Sequence, residues 1–248
     1  MLLQLCTWSE VETYLKSSKG IIVPIGSTEQ PGPNGLIGTD AICPEVIGRR
    51  VADQVGAMVG PTISVGMSQH HLGFAGSITL RPSTLIAVIK DYVHSLALHG
   101  FERFMFLNGH GGNIATTNAA FAEIYAETSL KAPGNGSGVR CVLTNWFDPP
   151  EVSKLAKELY GDRDGSHATA SEVAVTQFAY PDHIKHAEME WTGPRVRSFT
   201  DSADYRRLHP DGRIGSDPSL ATPEHGRRLV EAAVPAIAAT YRKFVEQA

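Results

Sequence analysis

Apolar residues along this chain fall into two kinds of run. Short continuous runs rich in β-branched and aromatic side chains alternate with longer ones in which apolar positions recur at helical spacing. IIVPIG at 21–26, a run covering roughly 58–65, RFMFLN at 103–108 and VRCVLTNWF at 139–147 are of the first kind and predict buried strands. ICPEVIGRRVADQV at 42–55 predicts a helix, with Asp40 placed to cap it and Gly56 to end it. TLIAVIKDYVHSLALH, about 84–99, predicts another, beginning after Pro82 and Ser83 and stopping at Gly100. The Ala-rich segment after Asn113, IATTNAAFAEIYAET, reads as helical, and KAPGNGSG at 131–138 reads as an exposed turn. Further helices are expected at about 151–160 and 168–179, then an irregular stretch rich in Pro, Asp and Gly to 218, and a terminal helix over about 222–246.

Strands that alternate with helices predict an α/β fold: a three-layer sandwich whose mostly parallel central sheet carries helices on both faces. No internal repeat or linker interrupts the pattern, so residues 1–248 are expected to form a single domain.

Composition narrows the function classes. The chain is 42% hydrophobic and 19% charged, with net charge −4. These values suit an ordinary globular protein and give no sign of a nucleic-acid partner. No apolar run reaches the roughly 18 residues of a membrane span. The N-terminus, MLLQLCTWSEVETYL, has an acid where a signal peptide would need an unbroken apolar stretch. Cys6, Cys43 and Cys141 are scattered and odd in number, which favours reduced thiols in a cytoplasmic protein.

Chemistry concentrates where two strands stop. IVPIGSTEQPGPNGLIGTD (22–40) and FMFLNGHGGN (104–113) each run from an apolar strand into a Gly-rich loop carrying acids or a His. In open α/β sheets that carboxyl end is where ligands bind. Glu29 and Asp40 lie eleven residues apart across a loop containing Gly32, Pro33, Gly35 and Gly38, which lets both carboxylates face one point. His110 sits between Gly109 and Gly111, where the lack of side chains leaves room for an ion. DGSHATASEVAVTQF adds His167 before a helix and Glu172 in its first turns. Such a donor set suits Zn or Mn, with Fe a third candidate, at one or two ions per chain. Blander readings stand beside these: Asp40 as a helix cap, Glu29 as a solvated loop acid, His110 in a phosphate-cradling turn, Glu172 as a polar helix position. His71, after the second strand, with Ser77 and Gly111, completes the candidate substrate pocket. His94, His99, His183, His186, His209 and His225 have no ligand spacing.

Taken together, GSTEQPGPNGLIGTD, HLGFAGSITL, NGHGGN, HATASE and GSDPSLATPEHG resemble the creatininase family of metal-dependent amidohydrolases. The resemblance implies a three-layer α/β protein, assembled as a homo-oligomer (a hexamer in many members), with two divalent ions near the strand ends. It implies that Glu29 and His110 bind the first ion, that Asp40 bridges both, and that Glu172 serves the second. His167 would be the proton-transfer residue, so that His167 and Glu172 are the candidate catalytic pair. Two departures stand out. The family pattern has a His after Gln30 as a ligand of the second ion, where this chain has Pro31, and a Glu in creatininase proper falls at Gly112 here. The expectation is a metal-dependent hydrolase of a C–N bond in a small amide, cyclic ones included. The alternative is a family member that binds or regulates because Pro31 has impaired turnover. A nucleotide-binding use of NGHGGN is a weaker third.

Overall fold

The computed structural model describes residues 1–131, 138–193 and 198–246, so the turn expected at 131–138 falls largely outside the described residues. Four parallel strands form one sheet in the order β2-β1-β3-β4, with β1 Gly20–Ile25, β2 Met58–Val59, β3 Arg103–Asn108 and β4 Arg140–Asn145. The ladder is in register to the strand ends, pairing Ile25 with Asn108 and Asn108 with Asn145. All three loops that leave these ends therefore emerge side by side.

Successive strand residues point to opposite faces. Ile21, Val23, Ile25, Phe104 and Phe106 pack against Leu85, Ile89 and Val93 of helix α3 (Pro82–Ala97) and Ala120, Phe121 and Ile124 of α4 (Ile114–Lys131). Tyr14 of α1 (Trp8–Leu15) joins that face. Ile22, Met105 and Leu107 face the other layer, built from α2 (Thr39–Val55), α5 (Pro150–Tyr160), α6 (Ala170–Ala179) and α8 (Pro223–Glu246). Burial on both sides explains why the strands read as unbroken apolar runs rather than alternating ones. Each fully buried Ile or Phe contributes about 1.5–3 kcal/mol. The three-layer α/β architecture is the one the sequence pattern predicts.

Three local expectations are corrected. The second strand ends at Val59, and the chain beyond follows β1 through the Gly60 amide on the Ile22 carbonyl and the Ile25–Ile63 bridge, with Pro61 between them supplying no ladder N–H. Helix α2 begins at Thr39, capped by the Gly38 position, so Asp40 lies inside its first turn instead of capping it. There its charge still suits the positive end of the helix. Gly56 does end α2, in the left-handed conformation (φ 68°). The irregular stretch before residue 218 contains a further helix, α7 (Ser202–Leu208), started by the Asp201 side chain accepting from the Asp204 amide. The free cysteines are as expected, and no helix among the described residues is long and apolar enough to cross a membrane.

Candidate metal centre

The site is assembled by close approach of backbone at the strand ends. A Cβ on Gly26 or on Gly109 would sit 2.1 Å from the Asp40 carbonyl oxygen, so glycine at both positions lets the first turn of α2 press against β1 and β3. The glycines beside His110 therefore make room mainly for the protein itself. A Cβ on Gly112 would meet the His110 ring at 2.5 Å, and only Gly111 borders open space. The two asparagines of NGHGGN knit this loop. Asn108 Oδ1 accepts from the His110 amide (3.1 Å), and its Nδ2 donates to the His110 carbonyl (2.7 Å). Asn113 Nδ2 donates to the Gly26 carbonyl at 3.0 Å, and its Oδ1 accepts from the Met67 amide at 3.0 Å.

Glu29, Asp40 and His110 converge from three segments. Glu29 is 2% exposed, which removes the reading of a solvated loop acid. His110 Nδ1 lies 2.7 Å from Asp40 Oδ2 and 3.8 Å from Glu29 Oε1. His110 Nε2 donates to the Met67 carbonyl at 2.9 Å, so the neutral ring keeps a bare Nδ1 facing the acids. Both Glu29 oxygens and Asp40 Oδ2 are buried with no hydrogen-bond partner among the described residues. Burial first, then the neighbouring Asp40, raises the Glu29 carboxyl well above its ordinary range. Burial opposes charge on His110, but Asp40 outweighs it and the net shift is upward. Two buried acids around one imidazole nitrogen call for positive charge between them, supplied by a proton on His110 or by a cation, and their donor atoms lie within 4.8 Å of one another.

Glu29 is shared with a second group. His71 Nε2 lies 3.5 Å and His167 Nε2 3.7 Å from Glu29 Oε2, with the two rings stacked 4.4 Å apart. Burial keeps His167 neutral by lowering it to about 4, and lowers His71 further. His167 precedes Ala168, whose φ of 55° places a buried non-glycine residue in the left-handed region. Strain of that kind clusters at functional sites.

Glu172 stands outside both groups. It closes a capping box at the start of α6, its Oε1 accepting from the Thr169 amide at 3.0 Å. Its carboxyl is raised by burial and then by Asp40. Asp40, His110, Gly111, His167 and Glu172 line one cavity of about 880 Å³, together with the apolar Trp146, Phe147, Val152 and Ala156. Of the expected pocket residues, Gly111 lines this cavity. His71 is buried behind Glu29, and Ser77 buttresses the loop by accepting from the Gln30 amide at 3.3 Å. The Pro31 ring is folded against Gly35, and Asn34 Nδ2 donates to the Pro218 carbonyl at 3.0 Å, while Asn34 Oδ1 is buried without a partner among the described residues.

Sequence reasoning gave no role to Gln30 or Tyr205 and set His209 aside for lack of ligand spacing. The Tyr205 ring packs edge-on against His71 (4.7 Å) and lies 5.0 Å from His209. Gln30 was visible only as part of the GSTEQ motif, and Tyr205 and His209 lie in a segment without spacing.

Fold and site together define a three-layer α/β protein that gathers two buried acids and an imidazole at the ends of parallel strands. The chain belongs to the creatininase family, whose description is creatinine amidohydrolase; the match spans residues 4–241. It is 27% identical to creatinine amidohydrolase of Pseudomonas putida, over 96% of this chain and 94% of that one. It is 32% identical to the mycofactocin precursor peptide peptidase of Mycobacterium tuberculosis, over 88% of this chain and 82% of the relative. Its fold matches a mutant creatininase of Zn-Zn type (TM-score 0.84, 24% identity, 99% and 98% of the two chains) and a Mn creatininase (0.83, 24%, 99% of each).

Proposed function

We propose that this chain hydrolyses a C–N amide bond with a divalent cation held by Glu29, Asp40 and His110. The observation that carries the reading is the set of buried carboxylate oxygens of Glu29 and Asp40 gathered around His110 Nδ1, with both Glu29 oxygens lacking a hydrogen-bond partner among the described residues. Zn and Mn suit these donors, and both occur in the names of solved relatives. A cation there would acidify a bound water and polarise a carbonyl, which is the chemistry amide hydrolysis requires.

The chain's own groups supply the rest. His167 Nε2 lies 2.9 Å from the Gln30 carbonyl and donates to it, which leaves Nδ1 as the ring's acceptor. Neutral at pH 7, that nitrogen takes the proton of the attacking water and passes it to the leaving nitrogen. Glu172, on the same cavity wall, holds its carboxyl close to Asp40 and serves the second ion if two bind. Trp146, Phe147, Val152 and Ala156 give the same cavity an apolar part, which favours an amide with an apolar substituent over a small polar ring. Assembly into a homo-oligomer belongs to the same reading and is checked by light scattering.

Elemental analysis of purified protein should find one to two Zn, Mn or Fe per chain. Protein that stays free of these ions and shows no affinity for them in titration would sink the proposal. Pro31, which has no donor atom, favours a second reading of a binding protein with lost turnover. Amide hydrolysis that appears only in Pro31→His would support it.

A further inference from the structure

The loss of a ligand at Pro31 raises the question whether His71 replaces it, since Glu29, His71 and His167 bring donor-type atoms within 4.8 Å of one another. The hydrogen bonds around Gln30 answer it. Gln30 Oε1 lies 2.9 Å from the Gly32 amide, which only donates. Gln30 Nε2 lies 3.0 Å from the Gly212 carbonyl, which only accepts. These two backbone partners fix which end of the amide is oxygen and which is nitrogen. Gly212 is held tightly in this role, with φ +86° and a hypothetical Cβ 1.9 Å from Gln30 Oε1.

One N–H of Gln30 remains, and two imidazole nitrogens lie 2.9 Å away, His71 Nδ1 and His167 Nε2. His167 Nε2 is also 2.9 Å from the Gln30 carbonyl, a pure acceptor, and must carry a proton to satisfy it. It is therefore unable to accept from the amide. His71 Nδ1 is the acceptor that remains, and a neutral imidazole accepting at Nδ1 carries its proton at Nε2. That proton points towards Glu29 Oε2 at 3.5 Å, a contact that a shift of about half an ångström turns into a hydrogen bond.

We infer that His71 is a positioning residue for Glu29 and not a metal ligand. Gln30 locks its tautomer so that Nε2–H holds Glu29 Oε2 and leaves Oε1 to face Asp40 and His110. The acid–imidazole group that looks like a second cation site thus turns no bare imidazole nitrogen on Glu29: the His71 N–H points at Oε2, and the His167 N–H is committed to the Gln30 carbonyl. Such outer partners orient metal-binding carboxylates, and their removal typically costs about 10–100-fold in metal affinity. This inference rests on the proposed cation site for its purpose, but its geometry is readable without any cation.

Long-range proton–nitrogen spectra of protein labelled with nitrogen-15 histidine test it directly. Expected is a His71 ring protonated at Nε2 and bare at Nδ1, both metal-free and after titration with Zn. A ring protonated at Nδ1, or one that loses its Nε2 proton as Zn is added, overturns the inference. Calorimetry with Zn gives an independent readout. His71→Ala should weaken binding about 10–100-fold with an unchanged number of ions, and His71→Gln, which keeps an N–H donor, should recover most of the loss. Loss of one ion per chain in both variants would make His71 a ligand after all. Should the wild-type protein bind no divalent ion, the proposed function falls, while the tautomer in metal-free protein still decides the point about His71.

Discussion

On one side of Glu29 the facing imidazole, His110, gives its Nε2–H to the Met67 carbonyl and turns Nδ1 to the acids. On the other side the Gln30 amide sets His71 so that its N–H faces the same carboxylate, and the Gln30 carbonyl takes up the N–H of His167. The residue types and the spacing of donor atoms are alike in the two groups, yet in one an imidazole nitrogen stands between two carboxylates and in the other the ring protons are already assigned. The difference lies in what holds the rings: a backbone carbonyl at the far nitrogen of His110, a side-chain amide at the far nitrogen of His71, and the Gln30 carbonyl at His167 Nε2 itself. Residue composition alone does not make a metal site; the second layer of hydrogen bonds decides it.

The largest expected break in this comparison is Asp40→Ala. It removes a carboxylate from the cation side, so metal affinity should fall by more than the roughly 100-fold upper end for an outer partner, and amide hydrolysis with it. Metal content equal to wild type would refute the assignment. His167→Gln works on the other side. Titration should give an unchanged ion count while kcat drops by about 10²–10⁴, the usual worth of a general acid–base; a parallel loss of metal would make His167 a ligand.

Acidification sharpens the contrast further. Glu29 and His110 both have raised pKa values, so protons compete with the cation for their donor atoms. Zn affinity should therefore fall as pH is lowered from 8 to 6, with proton release on binding visible as a buffer-dependent heat. A pH-independent Kd would contradict this. The smallest effect is expected at His70, which stacks on Phe199 at 4.8 Å and is lowered by burial from 6.5 to about 4. A group depressed in the folded state gives stability that is complete above 6.5 and is lost as pH falls towards 4. Thermal melts of metal-free His70→Phe should accordingly show a shallower decline of Tm over that interval than wild type, and an identical decline would count against the shift.

Much of the architecture was legible along the chain. RFMFLN at 103–108 reproduces β3 residue for residue, because a strand buried on both faces must be apolar throughout. Gly56 and Pro82 marked helix ends through their own backbone restrictions. Helix α7 was not legible, since SADYRRL is held by tertiary contacts of Tyr205 rather than by a long amphipathic pattern. The glycines of NGHGGN were visible, but their meaning was not. Gly109 admits the backbone of Asp40, a residue far away in sequence, and no local pattern carries that information.

The acids and the imidazole at the strand ends were placed by the sequence alone, because Gly-rich turns after apolar strands must lie at one rim of a parallel sheet. The tertiary structure decided which of those groups lacks a hydrogen-bond partner and which nitrogen of each ring is bare. Those properties depend on backbone atoms of Met67, Gly32 and Gly212 arriving from elsewhere, and a carbonyl has the same formula at every position in the chain. Only its location in space gives it a role.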